Sequence, residues 1–213
     1  MTIKDRAGFY RPNIINREKE REKVEIQLAS SECIPGTILK RKQMGDVTGL
    51  EFLSKIFYIT DGIMLNQIRG ISGIDGSTLQ NWTKRGWVEN SRLKRYDIDQ
   101  LAHILIINML RSCMRLDRIS FIIKYINGDA KDSGDKIIRD SELYDYICKI
   151  LDKMVGYSGT LQDCISDVTG AYNEKVCGAR RRLNTALEII LTAYYASLIK
   201  QHADDMLESL YNS

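Results

Sequence analysis

Between positions 77 and 95 the chain gathers side chains suited to contacting a polyanion. Ser77, Thr78, Gln80, Asn81 and Lys84 fall on one side of a helical repeat, opposite the apolar Leu79 and Trp82, and each carries a hydroxyl, an amide or a cation. Helix-borne amides can pair with base edges, while hydroxyls and ammonium groups suit phosphate oxygens. Arg85, Arg92, Lys94 and Arg95 follow, against one acid, Glu89, so residues 77–96 carry +4 on a chain whose total is +3. A cationic patch on an otherwise near-neutral protein predicts a polyanion contact at one place and says little about the rest of the surface.

Other chemistries find less support in the residue pattern. The sequence has no glycine-rich phosphate loop, no metal-ligand cluster and no nucleophile–base pairing, so neither an enzyme nor a cofactor nor a metal is expected. His103 sits among Leu101, Ile104 and Leu105, which predicts a packed core imidazole, and His202 is isolated. Five dispersed cysteines (Cys33, Cys113, Cys148, Cys164, Cys177) with no CxxC pair predict reduced, mostly buried thiols. Tyr144, Tyr146, Tyr157, Tyr172, Tyr194 and Tyr195 could line an effector pocket, although tyrosines at helical spacing are more often core or interface. The longest apolar run, 101–110, is about half of the roughly 20 residues a membrane span needs. The opening MTIKDRAGFYRP puts charges where a signal peptide is apolar. A cytoplasmic protein without a membrane partner is expected.

The elements that must position the cationic stretch are helical. Only Pro12 and Pro35 occur, so nothing beyond residue 36 is barred from a helix. Residues 1–46 read as an N-terminal arm: NREKEREKVEIQLAS, with Asn16 as a cap, then a Cys33-Ile-Pro-Gly stop. It packs loosely on the body or supplies a second phosphate-contacting arm through Lys40, Arg41 and Lys42. Thr48 and Glu51 have capping-box spacing and start a helix with Leu50, Leu53 and Phe57 on one face. Asp61 is placed to cap a short helix with Met64, Leu65 and Ile68 inward.

In Ser72-Gly73-Ile74-Asp75 the glycine permits a tight left-handed turn and Asp75 caps a helix over 76–85, which Gly86 ends. Residues 87–96 cannot keep an apolar helical face and predict a small hairpin. Asp97 with Gln100 then starts a helix that is apolar nearly all round over 101–114, with Asn108 as a core amide. A further helix over 116–126 precedes the polar stretch DAKDSGDK, read as a domain boundary. Beyond it, Leu143, Ile147, Ile150, Leu151 and Met154 hold helical spacing, and Thr160 with Asp163 starts a short helix. Asn173 opens the last one, whose face of Leu183, Leu187, Ile190, Leu191, Tyr194 and Leu198 is extended by Leu207 and Leu210. Some 35 residues of helix span roughly 50 Å, longer than a small core can cover, so a partner helix is expected.

In order and spacing, Ser72-Gly73-Ile74-Asp75, Thr78-Leu79, Trp82, Lys84, Gly86-Trp87-Val88, Lys94-Arg95-Tyr96-Asp97, Leu101 and 116–119 resemble the MerR-type winged helix-turn-helix. Thr48 to Asp152 is more similar still to a bacterial family of unknown function, number 1836, through TLQNWTKRGW, KRYDIDQLAHILIINMLR and ELYDYICKILDK. Together with the helical periodicity, the resemblance gives a mainly α fold: an arm over 1–46, a head over 47–128 that resembles the MerR-like winged helix-turn-helix, and an all-helical dimerisation or effector region over 129–213 with a long last helix.

It also implies a bacterial DNA-binding transcriptional regulator. A head this small buries too little surface to hold double-stranded DNA alone, so a homodimer is expected, and a small-molecule or protein effector is left open. By position, DNA contact goes to Ser77, Thr78, Gln80, Asn81, Lys84 and Arg85, and wing contact to Arg92, Lys94 and Arg95. The wing is shorter than in MerR proteins and lacks their glycine. Asn81 stands where they carry a DNA-facing tyrosine, and no sensing cysteines follow the head, so promoter untwisting and metal response are not implied. The alternative is a protein-interaction adapter that uses the same scaffold without binding DNA.

Overall fold

The computed structural model describes residues 32–127, 136–174 and 176–212. Within them lie α1 (Gly49–Ile56), β1 (Ile63–Met64), α2 (Leu65–Ser72), α3 (Gly76–Lys84), β2 (Arg95–Tyr96), α4 (Ile98–Leu110), α5 (Leu116–Asn127), α6 (Asp140–Met154), α7 (Leu161–Val168) and α8 (Ala179–Tyr211). The fold is mainly helical, as expected, and its two strands pair antiparallel with Ile63 opposite Tyr96 and Met64 opposite Arg95. No described helix is long and apolar enough to cross a membrane.

The all-round apolar pattern of α4 is explained by its neighbours, since α1, α2, α5, α6 and α8 all pack on it. Leu101, Ile104, Leu105, Ile106 and Leu110 are fully buried there. The helix stops at Leu110, before the expected end at 114. Residues 128–135, which hold most of the expected boundary, lie outside the described residues, but packing passes from one side to the other. α6 lies against α1 and α4, and Asn127 ties α5 to the start of α6 by donating to Asp140 Oδ1 (3.2 Å) and accepting from the Ile138 amide (3.3 Å).

Some helix starts follow the sequence and others do not. Asp97 and Gln100 form the expected reciprocal box, at 2.9 and 3.1 Å, and Thr160 with Asp163 does likewise. Thr48 precedes α1 but makes no side-chain cap. Its hydroxyl donates to Asp152 Oδ2 at 2.7 Å, and the Leu50 amide donates to Asp145 Oδ1 at 2.8 Å. The expected Thr48–Glu51 box is thus replaced by carboxylates of α6, which reach the helix end from across the core. Asp61 caps nothing: Met64 precedes α2, with Gln67 Oε1 accepting from its amide at 2.8 Å. Ile68 is buried, but Met64 is exposed. The last helix starts at Ala179 after Gly178, not at Asn173.

The described part of the arm is more firmly held than a loose segment. Ile34 is fully buried, the Ile38 amide donates to the Ile71 carbonyl at 3.0 Å, and Asn108 Nδ2 donates to both Gly36 O and Ser72 O at 2.9 Å. Asn108 is therefore the expected core amide, joining three segments. A Cβ on Gly36 would meet the Leu105 carbonyl oxygen at 2.3 Å, so glycine is required for this approach. Asn16 and its helix lie outside the described residues. Arg41 is drawn into an ion pair with Asp152, and Lys40 pairs with Glu32 at 3.3 Å, which leaves Lys42 of that trio without a described ion pair.

Of the thiols, Cys148 and Cys164 are buried while Cys113 and Cys177 are exposed, so the expected mostly buried set is only partly realised. Burial pushes the Cys148 thiol up to about 12. Of the tyrosine cluster, Tyr144, Tyr172 and Tyr194 are buried, Tyr144 donating to Pro35 O at 2.7 Å and Tyr172 to Ile137 O at 2.9 Å, while Tyr146, Tyr157 and Tyr195 are half-buried. A cavity of about 480 Å³ between α7 and the start of α8 is lined by Gln162, Ser166, Arg181 and Asn184 among others, and by none of those tyrosines.

Candidate nucleic-acid interface

α2 and α3 are short helices joined by the turn at Gly73, whose φ of 71° is the left-handed conformation expected there. Asp75 caps α3 by accepting from the Thr78 amide at 2.9 Å. The Ser77 and Thr78 hydroxyls also donate to its carboxylate, and these bonds hold the Asp75 carboxyl well below the usual carboxylate range. Both hydroxyls expected to meet DNA thus have their protons directed at the cap, and only their lone pairs are left for an outside donor.

Leu79 and Trp82 are buried, which fixes the rotation of α3 and turns Gln80, Asn81, Lys84 and Arg85 to solvent. Arg85 Nε donates to Asn81 Oδ1 at 3.3 Å, and its guanidinium lies 5.1 Å from the Trp87 ring centroid. Asn81 is braced by this contact. To engage adenine through both its oxygen and its nitrogen it would have to release Arg85.

Beyond Gly86 the backbone forms a hairpin with a two-residue tip. The Arg95 amide donates to Arg92 O at 2.8 Å and the Arg92 amide returns to Arg95 O at 3.0 Å. Leu93 and Lys94 occupy the tip with φ of 50° and 62°. Such a tip favours Asn-Gly, so two ordinary side chains held there store strain. Leu93 is 97% exposed. The returning arm is β2, whose pairing with β1 ties the hairpin back to α2. Arg95 Nη1 donates to Gly62 O at 2.8 Å and to Thr60 Oγ1 at 3.3 Å, so it braces the hairpin base. Among the described residues, no hydrogen bond or ion pair holds the side chains of Gln80, Lys84, Arg92 or Lys94.

The other side of this unit is fixed by His103. Its Nδ1 lies 2.9 Å from Asp140 Oδ2 and its Nε2 lies 2.8 Å from the Trp87 carbonyl oxygen. Burial alone would push the imidazole pKa down, but the Asp140 carboxylate, aided by Trp87 O, outweighs it and raises the value above 6.5. With acceptors at both nitrogens, the imidazolium satisfies both contacts and the neutral ring only one. The expected packed histidine is therefore an ionic clasp joining α4, the α3–hairpin connection and the first residue of α6.

The stretch that builds this unit also carries a family match. Residues 52–147 match DUF1836, a domain of unknown function. No curated protein and no solved structure matches the chain. The DUF1836 stretch starts inside α1 and ends inside α6, so it takes in the whole unit from β1 to β2 as well as both partners of the His103 clasp.

Two polar residues of the DUF1836 stretch join the candidate surface without having been expected. Asn66 and Arg69 of α2, with Gly73 and Asp75, line a shallow cavity of about 350 Å³ beside the start of α3. The signal was the three-residue spacing from Asn66 to Arg69 on a helix whose inward residue is Ile68. Among the described residues, no group of three histidines, cysteines or acids is placed to hold a metal.

Proposed function

We propose that this protein is a DNA-binding transcriptional regulator whose α2–α3 pair and hairpin act as a winged helix-turn-helix of MerR type, reading double-stranded DNA as a dimer. The observation that carries the reading is the outer face of α3. Gln80 and Lys84 are exposed and uncommitted there, and a hairpin presenting Arg92 and Lys94 follows directly. In this reading α3 enters the major groove, with Gln80 and Asn81 facing base edges. Lys84, Arg92 and Lys94 neutralise phosphates, and Arg69 adds a further cation beside the start of α3. Ser77 and Thr78 orient the helix through Asp75 more than they contact DNA directly.

The test is fluorescence anisotropy of mixed-sequence and selected duplexes across a salt series. Reversing charge at both Arg92 and Lys94 should weaken binding to every sequence and lower the slope of affinity against salt by about 2, whereas Asn81→Ala should shift the preference among sequences. Titrations of the charge-reversal variant that overlay the parent's would overturn the reading.

An adapter that docks protein is the second reading, favoured by the exposed Tyr58, Ile59 and Leu93. Thr60 and Gly62, just after Tyr58 and Ile59, hold the hairpin base through Arg95. Salt-insensitive or absent duplex binding, together with a copurifying partner released by Leu93→Glu, would favour it.

A further inference from the structure

The buried side of α8 ends at Ser197, and none of residues 198–212 is buried. Leu198 still packs on the core, and the 13 residues of α8 after it leave the body as a helical extension of about 20 Å, a length that is marginal in water by itself. Along the outer side of the same helix, Thr192, Ala196, Ile199, Ala203, Met206 and Leu210 are all exposed and recur at alternating steps of four and three. That alternation is the seam pattern of a two-helix coiled coil, and Ile199, Met206 and Leu210 are 55%, 58% and 72% exposed.

We infer that a second copy of this chain docks on the stripe with its α8 antiparallel, Ile199 of each copy against Ala203 of the other and Ala196 against Met206. The inference specifies the dimer half of the proposed function and is independent of the DNA half. Side-chain size selects the occupant and the direction. In the antiparallel register each layer sets a large side chain against a small one, Met against Ala, Ile against Ala and Leu210 against Thr192, so two straight helices keep an even separation. A parallel pair would stack Ala on Ala and Met on Met, alternating voids with bulges that close packing does not tolerate.

Charge agrees with this arrangement. Asp204, Asp205 and Glu208 fall on the helix side away from the stripe. Lys200, which flanks the stripe near the twofold axis, is already paired with Asp204 at 2.7 Å. A seam from Thr192 to Leu210 is about 27 Å long, near the lower end of stable interfaces, so the dimer should dissociate within the micromolar range.

Sedimentation equilibrium of the full chain across that concentration range tests the inference. The parent should show a monomer–dimer equilibrium, and Met206→Glu, placed beyond the folded body, should raise the dissociation constant about 100-fold with unchanged circular dichroism. Direction is read by oxidation after the exposed Cys113 and Cys177 are changed to Ser. An equimolar mixture of Ile199→Cys and Ala203→Cys chains should cross-link, and Ile199→Cys alone should not. A parent that stays monomeric, a dimer indifferent to Met206→Glu, or cross-linking of Ile199→Cys with itself would each overturn the inference. Loss of duplex binding with the dimer intact would instead count against the DNA reading alone.

Discussion

The unit from β1 to β2 and the packed α1, α4 and α6 beneath it differ in where the starts of α3, α1 and α6 find partners. α3 is capped by Asp75, the residue just before it, and its outer side chains are left to solvent. In the body, the α1 amide of Leu50 is met by Asp145 of α6, and the α6 amide of Ser141 by Asp99 of α4 at 3.0 Å. A self-capped helix can offer its outer face to another molecule because no neighbour occupies it. Cross-capped helices cannot part without exposing each other's unpaired backbone, so they make a rigid base.

The largest expected effect tests whether base and unit are one cooperative structure. Leu105→Ala in the middle of α4 should cost about 2–5 kcal/mol, the usual cost of a fully buried leucine. Both tryptophans lie in the α3–hairpin unit, so their fluorescence reports that unit, while far-UV circular dichroism reports the helical body. The two urea transitions should coincide and shift together. Separate transitions would break the comparison into two independent domains.

Next in size is the clasp between the two regions. His103→Gln should cost about 2 kcal/mol at acidic pH, because it leaves the Asp140 carboxylate in a mostly buried site. The native imidazole pKa is raised above the unfolded value of about 6.5. Its contribution is therefore complete below that value and is lost as pH rises through the native one. The parent should lose stability on going alkaline across this window, and the variant should be flat there. A parent as flat as the variant in pH-dependent denaturation would mean that the clasp does not hold the unit to the body.

Asp145→Ala should cost about 1 kcal/mol as the α1 amide loses its distant cap. The loss should appear as faster hydrogen exchange in both α1 and α6, since one residue serves both. Asp75→Ala should act most locally, speeding exchange at Thr78 with little change in global unfolding. The Asp75 carboxyl is held low in the native state, so its contribution is present above the ordinary carboxylate value and lost only as pH falls through the depressed one. If Asp75→Ala instead loosened the body, the autonomy of α3 would be refuted.

Whether a contact is local or crosses the core explains which features were legible beforehand. The Gly73 turn, the caps at Asp75, Asp97 and Thr160, the inward Leu79 and Trp82, and the solvent-facing Gln80, Asn81 and Lys84 depend on residues a few positions apart, where spacing along the chain is also spacing in space. The Thr48 box and the Asp61 cap had equally good local signals and were not formed, the first because Asp152 takes the Thr48 hydroxyl and Asp145 the Leu50 amide. Arg95 counts as a wing cation in the sequence because nothing there places Thr60 and Gly62 beside it. His103 was expected in the core, but its two polar partners come from 16 and 37 residues away.

By itself, then, the sequence determined a mainly helical chain with a self-capped, amide-faced helix and cations after it, because helix periodicity, capping and glycine turns act over one or two turns of chain. Tertiary structure alone decided which of those cations stay uncommitted among the described residues, which carboxylates serve as caps, that α6 completes the base under the unit, and that the last helix runs past the core with an apolar stripe exposed among the described residues. Those outcomes depend on pairings across tens of residues, for which proximity exists only once the core has closed.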